Sequence, residues 1–294
     1  MLKGAVICMA ERKFLPVKND IVFHMFFTDF KNKDSLIAFL KAILILPDDD
    51  YEDIDVTDPH LIREFSEDKL GIVDVKLKTK SKKIVHIEIQ LTVTPKLKQR
   101  IAFYNAKLVV EQIKKGDDYS DINKAISILI TEEVFIKGSP KYHHCFRFYD
   151  SEAGVELTDI VEIHTLELKK LPDSADGTDL YNWARFITAD SEDDMDMVAE
   201  SSPQLRQAVV RYRELTADER ARVLFEYREK ARRDYVSDIN WAKEQGLTEG
   251  RTEGEKTKAF SIAKSLLSTN LSVEEIARVT DLTRKEIEDL RNLN

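Results

Sequence analysis

The stretch that decides the fold is a pair of apolar segments joined by a short lysine-rich linker. Residues 71–77 read GIVDVKL and residues 84–91 read IVHIEIQL. In both segments β-branched residues alternate with polar ones, and a period of two is typical of half-buried strands. The linker Lys80-Ser81-Lys82 is short enough for a hairpin loop. The two segments therefore predict a β-hairpin with one apolar and one polar face.

The register of this hairpin predicts two facing carboxylates. If the linker is a three-residue loop, Thr79 pairs with Lys83, and Asp74 then lies directly opposite Glu88. Directly opposed residues share a face, with their Cβ atoms about 5 Å apart. Two carboxylates at that distance repel each other unless a proton or a cation lies between them. Mg²⁺ or Mn²⁺ is the natural occupant because both prefer oxygen ligands, and the carbonyl of Ile89 is a further candidate ligand.

The same face carries Lys76, His86 and Gln90. One interpretation is a metal site in a cleft, because the Val and Ile side chains turn the other way and a following helix should cover the sheet. The alternative is a solvated acidic face that Lys76 and its neighbours neutralise. For His86 the alternatives are a supporting role at the site and a structural role.

Charge is distributed unevenly along the chain. The whole chain has a formal net charge of −9, which by itself argues against a polyanionic partner. Residues 69–115, however, hold twelve basic and three acidic side chains, a net charge of +9, so the remainder carries −18. Clustered Lys and Arg supply the phosphate-binding part of nucleic-acid affinity. The segment is either a DNA-binding surface or a solvated lysine-rich face.

Length and composition exclude several classes of protein. A chain of 294 residues with 43% hydrophobic residues can bury a sizeable core, so disorder throughout is excluded. Two cysteines, Cys8 and Cys145, are too few for a disulfide framework or a four-thiolate zinc site. No apolar run approaches the roughly 20 residues that span a bilayer. We expect a cytoplasmic protein without a membrane partner, and residues 1–13 form an extension in which Met9 is an alternative start.

Periodicity predicts an α/β core followed by helices. Apolar residues at helical spacing over residues 20–46 predict two helices with a break near residues 29–32. An amphipathic helix should run from Pro95 to about Lys115 and end at Gly116. The predicted strands are residues 59–65, 71–79 and 83–91, which form an antiparallel meander, and residues 124–131, 142–149 and 158–168.

The chain should divide after this core. We predict an α/β core over residues 14–171, a helical region over 172–245, and a C-terminal helical module over 246–294. That module opens with Gly246, Gly250 and Gly254, which either lie on one helix face or form a flexible linker. Residues 272–288 have the apolar spacing of a helix-turn-helix. The net charge of −2 over residues 270–294 favours an assembly module over a DNA reader.

Together these features resemble the Rpn family of recombination-promoting nucleases and transposases, within the PD-(D/E)XK nuclease superfamily. The resemblance extends from about residue 14 into the glycine-containing tail. It rests on Asp20 with the phenylalanines that follow it, GIVDV at 71–75, IEIQ at 87–90, Arg100 with Tyr104, and Gly116 with Tyr119. It implies a restriction-endonuclease-like mixed sheet flanked by helices. It also implies a metal-dependent DNA endonuclease that acts in recombination or in a transposase-like role.

The resemblance further implies roles for single residues. Asp74 and Glu88 would bind the metal while Gln90, where the superfamily usually has lysine, would position the attacking water. Asp20 matches a family acidic position that completes the outer shell of the metal; the alternative is a helix N-cap. The candidate substrate-binding residues are Arg100, Tyr104 and Lys76, and the alternative for the first two is packing against the site.

Because Gln90 replaces the usual lysine, a non-catalytic protein that binds DNA or a partner is the alternative function. Apolar residues after about residue 215, such as Tyr235, Ile239 and Trp241, have few predicted partners, so we expect a homodimer held by the C-terminal helices. The pair His143-His144 has no Cys or His partner at zinc spacing, so we assign it no role.

Overall fold

The computed structural model describes residues 14–56 and 75–292. Its centre is a six-stranded mixed sheet in the order β1-β2-β3-β4-β6-β5. The strands are β1 Asp55–Val56, β2 Val75–Lys78, β3 Ile84–Gln90, β4 Ala125–Thr131, β5 His143–Asp150 and β6 Val155–Glu167. The helices are α1 Asp20–Thr28, α2 Lys33–Ile43, α3 Leu97–Val110, α4 Asp179–Thr188, α5 Glu192–Ser201, α6 Pro203–Ala217, α7 Glu219–Leu266, α8 Val273–Thr280 and α9 Arg284–Asn292. The predicted fold class is confirmed.

The hairpin has the predicted register. β2 and β3 are antiparallel, with Val75 opposite Ile87 and Lys78 opposite Ile84. The backbone N–H of Thr79 donates to the carbonyl of Lys83 across the three-residue loop. β2 pairs on its other side with β1, also antiparallel, and β3 pairs on its other side with β4 in parallel. Residues 59–65, predicted as a strand, lie outside the described residues.

The two faces of the sheet differ in polarity. Val85, Ile87 and Ile89 of β3 belong to the main hydrophobic core with alternate residues of β4. Phenylalanines of α1 and α2 complete this core together with Trp183 and Phe186 of α4. The opposite face carries His86, Glu88 and Gln90, and α3 packs across it. The alternation read from the sequence therefore separates the core from the candidate site.

The helix predictions are confirmed in part. α1 ends at Thr28 and α2 begins at Lys33, with one 3-10 turn between them, so the break is where the sequence predicts it. α3 ends at Val110, which is earlier than the predicted end at Lys115. The side chain of Gln112 bonds the backbone of Asn123 in both directions, and these bonds favour a turn toward β4 over continuation of the helix.

Contacts group the chain into one unit that ends at Glu229 and another that begins at Lys230. In the first unit, α4, α5 and α6 are part of the main core: Trp183, Met195 and Tyr212 are each at most 2% exposed. The hydroxyl of Tyr212 donates to the carbonyl of Leu15. These helices thus complete the α/β core. The predicted domain boundaries at residues 172 and 246 stay a prediction.

The second unit contains most of α7, from Lys230 onward, together with α8 and α9. Ala263, Ile276, Leu282 and Ile287 form its small core. Ser272 and Glu275 form a capping box at the start of α8. Among the helices of residues 14–56 and 75–292, none has both the length and the apolar character needed to cross a membrane.

Candidate functional site

Glu88 is the central residue of the polar face of β3. Strand alternation places it between His86 and Gln90, and its parallel neighbour on β4 is Leu129. Glu88 is 1% exposed, whereas Gln90 at the end of the strand is partly exposed. A carboxylate this deeply buried needs a compensating charge or hydrogen bonds. This burial contradicts the solvated-face alternative for Glu88.

Arg100 of α3 supplies a compensating charge. Its Nη2 forms an ion pair with Glu88 Oε1. The Arg100 side chain is 30% exposed, so it lies between the buried carboxylate and solvent. Its Nε atom is buried and has no hydrogen-bond partner among the described residues. Arg100, predicted to bind substrate, therefore contacts the predicted metal ligand directly.

The other predicted substrate-binding residues lie beside this pair. Tyr104, one turn after Arg100, is 36% exposed and makes an edge contact with Phe103, so it is not a buried packing residue. Lys76 is opposite His86 on β2, and its Nζ lies 3.8 Å from Glu111 Oε2. The structure thus brings Lys76, Glu88 and Arg100 to one face of the sheet.

Asp20 has a different environment from the predicted cap. The N-cap of α1 is Asn19, whose side chain accepts hydrogen bonds from the N–H groups of Ile21 and Val22. The cap alternative for Asp20 is therefore wrong, and the reason is that the preceding residue is also a good cap. Asp20 Oδ2 accepts a hydrogen bond from Arg228 Nε at 2.8 Å. Its role at a metal stays a prediction.

The other two predicted metal ligands are Asp74 and the carbonyl of Ile89. Asp74 lies outside the described residues, so its position opposite Glu88 stays a prediction. The described pairs from Val75 to Lys78 follow the register on which that prediction depends. The side chain of Ile89 faces the main core at 8% exposure, which leaves its backbone carbonyl as the candidate ligand.

A second polar cluster, which the sequence analysis missed, lies on β5 and β6. His143 Nε2 is 2.9 Å from His164 Nδ1, and His164 Nε2 is 2.6 Å from Glu162 Oε1. Cys145 is opposite His164 in the register. The pair His143-His144 was assigned no role because no Cys or His lies at zinc spacing along the chain, but the partner of His143 comes from a neighbouring strand and not from nearby sequence. The signal in the sequence was the period-two spacing of His143 with Cys145 and of Glu162 with His164.

Burial and neighbouring charges shift the pKa values of Glu162, His164 and His143. Burial would raise the pKa of Glu162, but His164 and Lys124 outweigh it and lower that pKa to about 2. Burial would lower the pKa of His164, but Cys145 and Glu162 outweigh it and raise that pKa. Burial, followed by the charge of His164, lowers the pKa of His143 to about 4. At neutral pH Glu162 is thus a carboxylate and His143 is uncharged.

Comparison with known proteins identifies one family. The sequence model described as "PD-(D/E)XK nuclease family transposase" matches residues 17–242. The match covers both β3, with Glu88, and α3, with Arg100. No curated protein and no solved structure matches the chain significantly.

Proposed function

The chain belongs to the PD-(D/E)XK nuclease family transposases, and from that premise we propose that it is a metal-dependent DNA endonuclease. The observation that carries the proposal is Glu88, a carboxylate 1% exposed on the polar face of β3. A second support is the positively charged segment, residues 69–115, to which Glu88 belongs. Exposed lysines of the positively charged segment are Lys78, Lys80, Lys82, Lys96, Lys98, Lys107, Lys114 and Lys115.

The residues at this site fit a hard divalent cation. Glu88 offers a carboxylate, Gln90 an amide oxygen and Ile89 a carbonyl, which together with Asp74 make a set of oxygen donors. In the proposal Asp74, Glu88 and the Ile89 carbonyl hold Mg²⁺ or Mn²⁺. When bound, the ion supplies Lewis-acid chemistry, which lowers the pKa of water and offsets charge on the phosphate.

The side chains of the chain perform the remaining tasks. Gln90, at the partly exposed end of β3, would orient the attacking water through its amide oxygen. Arg100 would exchange Glu88 for a phosphate oxygen of the DNA, because a guanidinium binds either anion in the same two-pronged geometry. Tyr104 and Lys76, both partly exposed, would contact the adjoining phosphates.

A plasmid-nicking assay tests the proposal. We expect nicks from purified protein with Mg²⁺ or Mn²⁺ and a loss of at least about 100-fold for Glu88→Gln, as for removal of other essential groups in active sites. Glu52→Gln is the matched control, since it makes the same change in an exposed ion pair with Lys80. Equal nicking by Glu88→Gln and the wild type would refute the assignment.

A non-catalytic binding protein is the second candidate. The observations that favour it are Gln90 in place of the usual lysine and the contact of Arg100 with Glu88. Titration calorimetry with Mn²⁺ separates the two candidates. An absence of Mn²⁺ binding, together with DNA binding that persists without metal, would favour the binder.

The proposed substrate is DNA, and the proposed setting is recombination or a transposase-like reaction in the cytoplasm. DNA binding by the lysine surface should weaken steeply as salt rises, because each neutralised phosphate releases counterions. A nuclease with one site per chain cuts both strands of a duplex most directly as a two-fold dimer. The proposal therefore includes a homodimer.

The surface proposed for this dimer lies on α7. Tyr235 and Ile239, which share a face of this helix, are each at least half exposed. A side chain added at Gly246, Gly250 or Gly254 would meet no atom within 4 Å, so packing within the described residues does not account for these glycines. Light scattering of the full chain tests the proposal, and a monomer at micromolar concentration would contradict it.

A further inference from the structure

The cluster on β5 and β6 lies on the face of the sheet opposite to Glu88. His143 and Cys145 project from β5, and Glu162 and His164 project from β6 on the same face. The register places Cys145 directly opposite His164. Four side chains that can each bind a metal thus meet where two antiparallel strands pair.

Three of these side chains converge on one point. One ligand atom each from Cys145, Glu162 and His164 lies within 4.8 Å of the other two. Glu162 and His164 are 2% and 3% exposed, whereas Cys145 is exposed. An ion would therefore reach the two buried ligands from solvent on the side of Cys145. A search of residues 14–56 and 75–292 for three or more such ligand atoms close enough to share one ion finds this group.

Two cationic side chains also contact Glu162, and they decide which of its two oxygens is left for a metal ion. Lys124 Nζ lies 2.7 Å and Arg147 Nε 3.0 Å from Glu162 Oε2. Both contact the same oxygen, so Oε1 faces only His164 Nε2 among these contacts. Metal-ligating carboxylates are commonly hydrogen-bonded through their second oxygen. Lys124 and Arg147 therefore orient the carboxylate without occupying the oxygen that faces the cluster. Arg147 also contacts Cys145, and the ion would replace it beside the thiol.

We propose that Cys145, Glu162 and His164 bind a divalent transition-metal ion of the Zn²⁺ class. A thiolate, an imidazole and a carboxylate are the donors that Zn²⁺ accepts, with a fourth position for water. Mg²⁺ avoids sulfur, so this ion differs in chemical class from the one proposed at Glu88. The site is separate from the nuclease site and does not depend on it.

Metal binding at this cluster would release two protons. Coordination removes the thiol proton of Cys145 and the proton between His164 Nε2 and Glu162, and both go to solvent. His164 then keeps a proton on Nδ1, and this N–H donates a hydrogen bond to His143 Nε2, 2.9 Å away. A second hydrogen bond of this kind fixes the ring of a metal-binding histidine. His143 is thus a positioning residue and not a ligand.

The test is titration calorimetry of the reduced full-length protein with Zn²⁺, in two buffers of different ionisation enthalpy. We expect one site per chain that releases protons. Cys145→Ser should weaken binding by at least about 100-fold, and Cys8→Ser, the matched control for the other thiol, should not. Titration with Co²⁺ should give a thiolate charge-transfer absorption that Cys145→Ser abolishes.

Further variants separate this site from the nuclease site. Glu88→Gln should leave Zn²⁺ binding intact even if nicking is lost, and Cys145→Ser should leave Mg²⁺-dependent nicking intact. His164→Gln should also lose Zn²⁺ binding; if it fails to fold, the exposed Cys145 decides the test. The proposal fails if the wild type binds no Zn²⁺ or if Cys145→Ser binds it as tightly as the wild type.

Discussion

Arg100 of α3 and Glu88 of β3 form an ion pair in which the carboxylate is buried and the guanidinium is partly exposed. The arginine compensates the charge that burial would otherwise penalise. The same contact places a cation on an oxygen that the proposed metal would need. Arg100 and the proposed metal would therefore compete for Glu88, and such competition has measurable consequences.

The first prediction concerns Arg100→Ala. Without the competing guanidinium, Mn²⁺ should bind about tenfold more tightly, a change of about 1.4 kcal/mol. The metal-free variant should unfold more easily by about 2 kcal/mol, because a buried carboxylate loses a counter-ion. Nicking should fall despite the tighter metal binding, since the phosphate loses its guanidinium.

Calorimetry with Mn²⁺ measures the metal affinity, urea unfolding measures the stability, and the plasmid assay measures nicking. Lys98→Ala is the control, because Lys98 is on the same helix but lies over the ring of Phe135. Weaker Mn²⁺ binding by Arg100→Ala would show that the arginine supports the metal and does not compete with it.

The second prediction separates two roles of Asp20. Its ion pair with Arg228 is largely buried, with the side chains 23% and 11% exposed. Asp20→Asn and Arg228→Met should each cost about 1 to 3 kcal/mol in the free energy of unfolding, and a double-mutant cycle should show coupling between them. If Asp20 also supports the metal, only Asp20→Asn should lower nicking at temperatures where both variants are folded. An equal loss of nicking in both variants would assign Asp20 a structural role alone.

The third prediction concerns the hairpin loop that precedes β3. Lys82 has φ 65°, in the left-handed region that costs a side chain about 1 to 2 kcal/mol. Lys82→Gly should stabilise the protein by up to about 1 kcal/mol, because the strain removed exceeds the entropy that glycine loses on folding. Lys82→Val should destabilise it, and Lys82→Asn should lie between the two. Urea midpoints check the order, and a glycine variant less stable than the valine variant would contradict it.

The sequence predicted this hairpin well because its signals are local. Alternation, the three-residue loop and the pairing of Thr79 with Lys83 all lie within a few residues of one another. The face of Glu88 followed directly from that alternation. The ion pair with Arg100 did not, since it depends on how α3 crosses the sheet, and single-residue spacing carries no information about a crossing angle.

The second cluster could not be predicted from the sequence, for a related reason. Cys145 and His164 are neighbours only because β5 pairs with β6, and β6 in turn lies beside β4. The strands themselves were predicted, but not their order. A search for metal ligands by spacing along the chain finds zinc fingers and misses ligands that different strands bring together.

The fourth prediction concerns Asp50, which anchors the same hairpin loop. Its carboxylate accepts hydrogen bonds from Thr79, from the N–H of Ser81 and from Lys83. Burial would raise the pKa of Asp50, but the bonds from Lys83 and Ser81 outweigh it, so the pKa is lowered. The unfolded chain thus binds this proton more readily, and the stabilisation is present above about pH 4 and lost as the pH falls further.

Asp50→Asn should therefore cost about 2 kcal/mol at pH 7, the size of a hydrogen bond to a charged group. The difference from the wild type should shrink at pH 3. Urea unfolding at both pH values measures it, with Asp48→Asn as the control because that carboxylate makes an exposed ion pair with Lys41. A difference that stays constant between pH 7 and pH 3 would remove the carboxylate from this role.

The last prediction gives the proposed dimer an orientation. Tyr235, Ile239, Gly246 and Gly250 follow one another at helical spacing on one face of α7. Residues 230–243 carry four basic and two acidic side chains, a net charge of +2, and residues 244–255 carry four acidic and one basic, a net charge of −3. An antiparallel pair sets these opposite charges against each other. It also places Ile239 over Gly246 of the partner and Tyr235 over Gly250.

Cross-linking distinguishes this arrangement from a parallel one. In a background with Cys8 and Cys145 replaced by serine, Ile239→Cys alone should form no disulfide between chains, because the two copies of residue 239 lie far apart in an antiparallel pair. A mixture of Ile239→Cys and Gly246→Cys chains should cross-link, since these positions face each other. A parallel pair reverses the result, because each position then faces its own copy. Rapid cross-linking of Ile239→Cys with itself would therefore contradict the antiparallel dimer, whereas cross-linking confined to the mixture would support the antiparallel orientation.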